Sequence, residues 1–257
     1  MTETAATGSR RAAGTLPWGG RIGGAGETAN EWLNVRGVGA SARLRADWVA
    51  SLAVGCKLGP LVACNSYRNP NLHADIARTV DHVSGGRVIM GLGAGWFERD
   101  YRRDGYEFGT FATRIRALGR AVPEIIERLA ALNPPPLRRM PILIAGTGLT
   151  LTLPIVARHA DAWHAFFPDQ PAELEAPVAA LRRYCDEIGR DPAEIEWSVG
   201  LQPDDADRFL AEDVDACVEM GFTQFTLGFG GPGWDVDAGA PWLAWRDRMN
   251  AAVLATP

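Results

Sequence analysis

The chain has 257 residues with 26 basic and 31 acidic side chains, a formal net charge of −5, and is 47% hydrophobic. That composition supplies one sizeable core or two small ones, and its weak, mixed charge excludes the strong field that nucleic acid or an anionic membrane calls for, so a small-molecule partner is expected. Cysteines 56, 64, 185 and 217 form no Cys-x-x-Cys pair, the four histidines have no metal-ligand spacing, and no stretch approaches the roughly 20 apolar residues that span a bilayer, so no metal is expected and a cytoplasmic chain is.

Residues 1–47 read differently from the rest. Nine of the 29 glycines fall within the first 40 positions, with no apolar run of strand length and no helical stripe. Such a segment cannot bury enough surface to offset its ordering entropy, and it is expected to be disordered or loosely docked on a domain spanning 48–257. From residue 58 onward an apolar run and a helix-like segment alternate, the pattern of parallel α/β architecture. Strands are predicted at 58–64, 87–93, 141–146, 161–167, 196–201 and 222–229.

The first helix is predicted from Asn69 as cap and Pro70 at the first helical position. Leu72, Ile76, Val80 and Val83 form its apolar face, and Gly85 and Gly86 end it. Residues 110–132 carry Ile115, Leu118, Val122, Ile125 and Leu129 at helical spacing, but Gly119 and Pro123 interrupt them. An interior proline costs about 3 kcal/mol, which predicts a kink or an early break. The run ALNPPPLRRM, residues 131–140, reads as an extended connector. Helices follow at 171–188, 205–220 and 240–252, the last with Trp242, Trp245 and Met249 on one face.

Three glycine- or polar-rich turns end the first three strands. Gly91, Gly93 and Gly95 precede Trp96, so the third glycine of a dinucleotide fingerprint is absent, and Asp104, Gly105, Tyr106 and Gly109 suggest further loop rather than a helix. In a parallel barrel, glycines at a strand's carboxyl end let a flat ligand approach the backbone; a tight bend with no ligand explains them equally. Gly146, Thr147, Gly148 and Thr150 offer two backbone amides and two hydroxyls near a helix start, which suits a phosphate or ordinary capping. Asn65, Ser66, Tyr67 and Arg68 gather on one rim, either as a site or as a capped turn. His73, His82, His159 and His164 read as surface or satisfied core histidines.

The segment LGPLVACNSYRNPNLHADIARTVDHVSGGRVIMGLGAGWFERDYRRDGYEFG, with PILIAGTG, ARHADAW and GFTQFTLGFGGP, resembles the luciferase-like superfamily. Within it, the best likeness is to oxidoreductases that use the deazaflavin coenzyme F420. The resemblance implies a TIM (β/α)8-type barrel that binds F420 or FMN at its carboxyl rim. It places a non-prolyl cis peptide at Leu61 and Val62 beneath the flavin ring, with Asn65, Gly93 and Gly95 beside it and the phosphate at Gly146, Thr147, Gly148 and Thr150. Tyr67, Trp96 and Tyr101 would shape the substrate side.

Trp96 stands where sugar-phosphate dehydrogenases of this type carry a glutamate, so that chemistry is not expected. The family's first strands and the Asp-His pair after the second have no counterpart in residues 1–47, so the barrel is expected to be incomplete or divergent there and no catalytic residue is assigned. Two open edges would invite pairing with a second copy of the chain. The expected activity is hydride exchange between F420 and a small organic substrate. The rivals are an FMN-dependent monooxygenase and a non-catalytic cofactor-binding paralogue.

Overall fold

A computed structural model describes residues 57–166, 170–201, 205–228 and 239–254. The expectation for residues 1–47 lies outside these. All six predicted strands form, mostly shorter than expected: β1 (Ala63–Cys64), β2 (Met90–Gly93), β3 (Ile142–Ala145), β4 (Ala162–Phe166), β5 (Glu196–Leu201) and β6 (Gln224–Leu227). They pair in parallel and in chain order, β1 to β6. Because every crossover returns the chain to the next position in the same sheet, the six carboxyl ends line one rim.

Alternation along these strands sorts their side chains onto two unlike faces. Leu92, Ile144, Trp163 and Trp197 stand in register on adjacent strands and belong to the main core, which the helices cover. Trp163 and Trp197 meet edge to face at 5.5 Å. Burying each such side chain contributes on the order of 1.5–3 kcal/mol. The opposite face carries Gly91, Leu143, Ala162 and Glu196 in register, and there Leu61, Leu143 and Ala162 form a small separate cluster.

Helix α1 (Pro70–Ser84) starts as its sequence predicts: the Asn69 side chain accepts from the amides of Asn71 and Leu72, and Gly85 closes the helix at a φ of 71°. Its buried face is only partly the predicted one, for Val80 is buried and Ile76 packs against the core. Leu72 and Val83 are exposed, whereas His73, Ala74, Ala77, Val80, Asp81 and Ser84 are buried. Small residues bring α1 close to its neighbour, and the helix turns that side inward. Asp81 is wholly buried, and its carboxylate accepts from the amides of Val88 and Leu137, tying α1 to the approach to β2 and to the proline-rich connector.

A short helix, α2 (Glu98–Asp104), occupies part of the region read as loop, and Gly105 ends it at a φ of 77°. The expected early break at Pro123 does not occur, because α3 (Phe111–Ala131) runs through it. Leu118, Ala121, Val122, Ile125 and Leu129 are all buried along it, and that packing outweighs one lost backbone bond. Thr110 and Thr113 cap its start reciprocally. The remaining helices are α4 (Thr152–His159), α5 (Glu175–Glu187), α6 (Ala206–Glu212), α7 (Val214–Met220) and α8 (Ala240–Leu254). The region 205–220 is therefore two helices. Among the described residues, no helix is long and apolar enough to cross a membrane.

Candidate functional site

The three polar turns come together as neighbours, because β1, β2 and β3 are adjacent and end on the same rim. The Leu61–Val62 peptide bond, just before β1, is cis. Leu61 is buried in the small inner cluster and Val62 packs beside it. Asn65 is buried in the single turn of helix, Asn65–Tyr67, that follows β1.

The glycines of β2 have a different reason from the one sequence suggested. A side chain at Gly91 would meet the Pro60 carbonyl oxygen at 1.9 Å, and one at Gly93 would meet Val62 Cγ2 at 2.4 Å. Gly95, at a φ of +84°, faces the Tyr101 hydroxyl and Cys64 Sγ. These spaces are filled by the protein itself, so the need for glycine comes from packing the Leu61–Val62 turn and the Tyr101 ring against β2.

Tyr101 requires a correction. It is wholly buried, so it supports the rim from behind and does not face a substrate. Its hydroxyl donates to the Ala94 carbonyl at 3.2 Å and lies 3.0 Å from Cys64 Sγ. Its ring meets Tyr67 and Phe108 edge to face, each at 4.9 Å. Tyr67 in turn stacks on Tyr106 at 4.7 Å. Burial raises both phenols well above their ordinary range, so each remains protonated and can donate but not act as a base.

Arg114, in the first turn of α3, fastens the loop that carries these rings. Its Nε donates to the Gly95 carbonyl at 3.0 Å and its Nη1 to the Phe108 carbonyl at 3.1 Å. The guanidinium also lies 3.8 Å from the centre of the Phe108 ring, a cation–π contact. Trp96, by contrast, is 76% exposed and touches the Phe97 ring.

In the turn after β3, Gly146 is not free to serve a phosphate. Its amide donates to the His164 carbonyl at 2.9 Å, and its own carbonyl accepts from Trp163 Nε1 at 2.9 Å. The Gly148 carbonyl accepts from the amides of Thr152 and Leu153, opening α4. The amides of Gly148, Leu149 and Thr150 make no backbone hydrogen bond among the described residues. Thr147 is half-buried there and Thr150 exposed. Phe111, at the start of α3, reaches to within 3.8 Å of the space beside Gly148, so the β2 and β3 turns share one edge.

A polar group that the sequence reading set aside lies on the inner face of β4, β5 and β6. His164 is wholly buried, with Nδ1 2.9 Å from Ser198 Oγ, and Ser198 Oγ is 3.4 Å from Thr226 Oγ1. Among the described residues, its Nε2 has no hydrogen-bond partner. Burial lowers the imidazole to about 3, so the ring is neutral at neutral pH. The strand pattern does carry this signal: in EWSVGL and QFTL, Glu196, Ser198, Gly200, Gln224 and Thr226 alternate with apolar residues. Among the described residues, no His, Cys, Asp or Glu group could hold a metal ion.

A parallel α/β sheet wound in chain order, with glycine and hydroxyl turns gathered on its carboxyl rim, has the layout of barrel enzymes whose sites lie on that rim. The model of the luciferase-like monooxygenase family matches residues 48–204, and the chain belongs to that family of oxidoreductases and monooxygenases. Two curated relatives are phthiodiolone/phenolphthiodiolone dimycocerosates ketoreductases. That of Mycobacterium sp. strain JLS is 29% identical over 180 residues, which cover 62% of this chain and 47% of the relative. That of Mycobacterium kansasii is 30% identical over 155 residues, 54% of this chain and 42% of the relative. The matched stretch thus covers less than half the length of either relative.

Among solved structures, an F420-dependent secondary alcohol dehydrogenase in complex with an F420–acetone adduct aligns with a TM-score of 0.66 at 15% identity, covering 77% of this chain and 82% of that one. The F420-dependent tetrahydromethanopterin reductase of Methanopyrus kandleri gives 0.59 at 15%, covering 78% and 84%. Monooxygenase RslO1 of Streptomyces bottropensis gives 0.60 at 14%, covering 79% of each chain. At these identities the likeness concerns the fold, which is that of TIM-barrel luciferase-like enzymes.

Proposed function

We propose that this protein is an oxidoreductase that exchanges hydride between the deazaflavin F420 and a small organic substrate. The observation that carries the reading is the convergence of the ends of β1, β2 and β3 on one rim, with a floor of small side chains on one side and, on the other, amides that make no backbone hydrogen bond among the described residues. The floor suits a planar ring: Val62, Gly93 and Ala145 present no side chain larger than valine. The amides of Gly148 and Thr150, with the hydroxyls of Thr147 and Thr150, suit a phosphate at the start of α4. The ketoreductase names of the curated relatives support a carbonyl as the reacting function.

When bound, the cofactor supplies the hydride chemistry. The chain's own residues bind, orient and exclude water. Val62 and Ala145 would carry the ring, and Asn65, Gly93 and Gly95 would border it. Thr147, Gly148 and Thr150 would fix the tail. Tyr67, held against Tyr106, and exposed Trp96 would wall the substrate side, with Arg114 and Tyr101 keeping their loop in place.

Titrating the purified chain with F420 and with FMN, while following tryptophan fluorescence, tests this directly. Trp96, 76% exposed at the rim, is placed to report binding. Saturable quenching by F420 that is weaker in Trp96→Phe is the expected result. Saturation by FMN alone would replace the reading with a monooxygenase. No saturable change with either would leave the non-catalytic reading in its place.

A further inference from the structure

The inner face of β4, β5 and β6 is unusual for a barrel interior, which is ordinarily filled by branched aliphatic side chains. Here register aligns His164 with Ser198 and Gln224, and Phe166 with Gly200 and Thr226. Ser198, Gln224 and Thr226 are all buried. The His164 ring edge occupies the place a Gly200 side chain would take: a Cβ there would lie 2.7 Å from Nε2 and 3.0 Å from Cε1. Glycine at 200 therefore gives the imidazole its seat, and Ser198 fixes its other nitrogen.

Among the described residues the Nε2 atom is buried and unpaired, and such a nitrogen forfeits its hydration without compensation. Only a group that arrives from outside the described residues can satisfy it. Phe166 ends β4 on the carboxyl rim, meets the His164 ring edge to face at 4.8 Å and is 40% exposed. It is the cover through which such a group would come.

We propose that His164 Nε2 is the hydrogen-bonding contact for the oxygen of a neutral carbonyl or alcohol substrate, admitted past Phe166 at the rim of β4 and β5. This rests on the hydride-exchange reading above. The chemistry selects that class in two ways. First, the imidazole stays neutral, because burial lowers it to about 3, so it offers no charge to a carboxylate or phosphate. Second, its Nδ1 partner is a hydroxyl, which both donates and accepts.

With Nε2 protonated, His164 donates to a carbonyl oxygen while Nδ1 accepts from Ser198. In the other tautomer Nε2 accepts from an alcohol, Nδ1–H donates to Ser198 Oγ, and the Ser198 proton turns toward Thr226 Oγ1 at 3.4 Å. One neutral ring thus fits both members of a ketone–alcohol pair. His164 is on this account a substrate-positioning contact.

The test uses the whole chain with 15N-labelled histidine, and His164→Gln assigns the His164 resonances by their loss. Cyclohexanone and cyclohexanol are the probes, each added to the limit of its solubility. Both should move the Nε2 resonance saturably, and the two probes should draw the ring toward opposite tautomers. His164→Phe should weaken binding of each probe about tenfold or more, read from β5 backbone amide shifts in uniformly 15N-labelled protein. Ser198→Ala, which takes away the partner of Nδ1 but leaves Nε2 and the Gly200 seat, should weaken the tautomer change while retaining binding.

An Nε2 resonance unmoved by both probes would overturn the proposal, as would equal probe affinity in wild type and His164→Phe. If Nε2 responds but the wild type binds neither F420 nor FMN, the contact stands and the hydride-exchange reading fails. If F420 binds and Nε2 stays silent, the reverse holds.

Discussion

A methyl group added at Gly93 would probe the rim where β1 meets β2. It would lie 2.4 Å from Val62 Cγ2, about 1 Å inside the ~3.5–4.0 Å at which carbon atoms rest. Valine is stiff about χ1, so its branch cannot simply rotate away, and the backbone has to yield. Gly93→Ala should therefore cost ~1–3 kcal/mol, the range of an overpacked core. Val62→Ala alone should cost about 1 kcal/mol, since the side chain is only part-buried.

In the Val62→Ala background the added methyl has room, and Gly93→Ala should then cost less than about 0.5 kcal/mol. Urea titrations of the four proteins give the coupling directly. A favourable coupling of about 1–2 kcal/mol is expected. Additive losses would show that Gly93 is not required by Val62, and the packing account of the β2 glycines would fail. Titrating the same four proteins with F420 separates packing from binding, because on the proposed reading a ring bordered by Gly93 would sense the methyl even where stability is restored.

Burial of His164 sets a pH dependence of stability. The unfolded chain takes up a proton near 6.5, whereas the folded ring resists until about 3, so stability is full above 6.5 and falls as pH drops through that window. The slope is about 1.4 kcal/mol per pH unit, and His164→Gln should flatten it in urea titrations repeated between about pH 6 and 4; an unchanged slope would mean the ring is charged in the fold. Asn69→Ala removes the α1 cap and should cost about 1 kcal/mol, seen as a lower midpoint in thermal unfolding. Asp81→Ala strands the buried Val88 amide and frees the part-buried Leu137 amide, and should cost ~1–3 kcal/mol in urea unfolding, more than a surface carboxylate substitution. Trp96→Ala, at an exposed position, should change stability by under about 0.5 kcal/mol while removing part of the fluorescence response to cofactor.

The order and direction of the strands were legible because each apolar run is bounded by turn residues and joined by a helix-length segment, and a parallel sheet follows from that alternation. Caps such as Asn69–Pro70 and Gly85 were legible because their chemistry is local. What escaped the sequence depends on contacts between distant residues. The role of Gly93 is set by Val62, and the true inner face of α1 is set by the small residues Ala74 and Ala77, against the larger Leu72 and Val83. Helix α3 survives Pro123 because of burial along its whole length. Gly146 resembled a free amide in sequence, yet β4 claims it. His164 resembles any core histidine in sequence; only the fold shows that Ser198 holds one nitrogen while the other, beside Gly200, is unpaired among the described residues.

The two ends of the sheet differ in kind along the inner face: Leu61, Val62 and Leu143 on one side, His164, Ser198 and Thr226 on the other. If His164 takes the substrate oxygen as proposed, a prochiral carbon set between an oily wall and a buried polar one would have a single comfortable posture, with its oxygen toward the imidazole. Attack would then come from one direction only, and the alcohol formed or consumed would be of one hand.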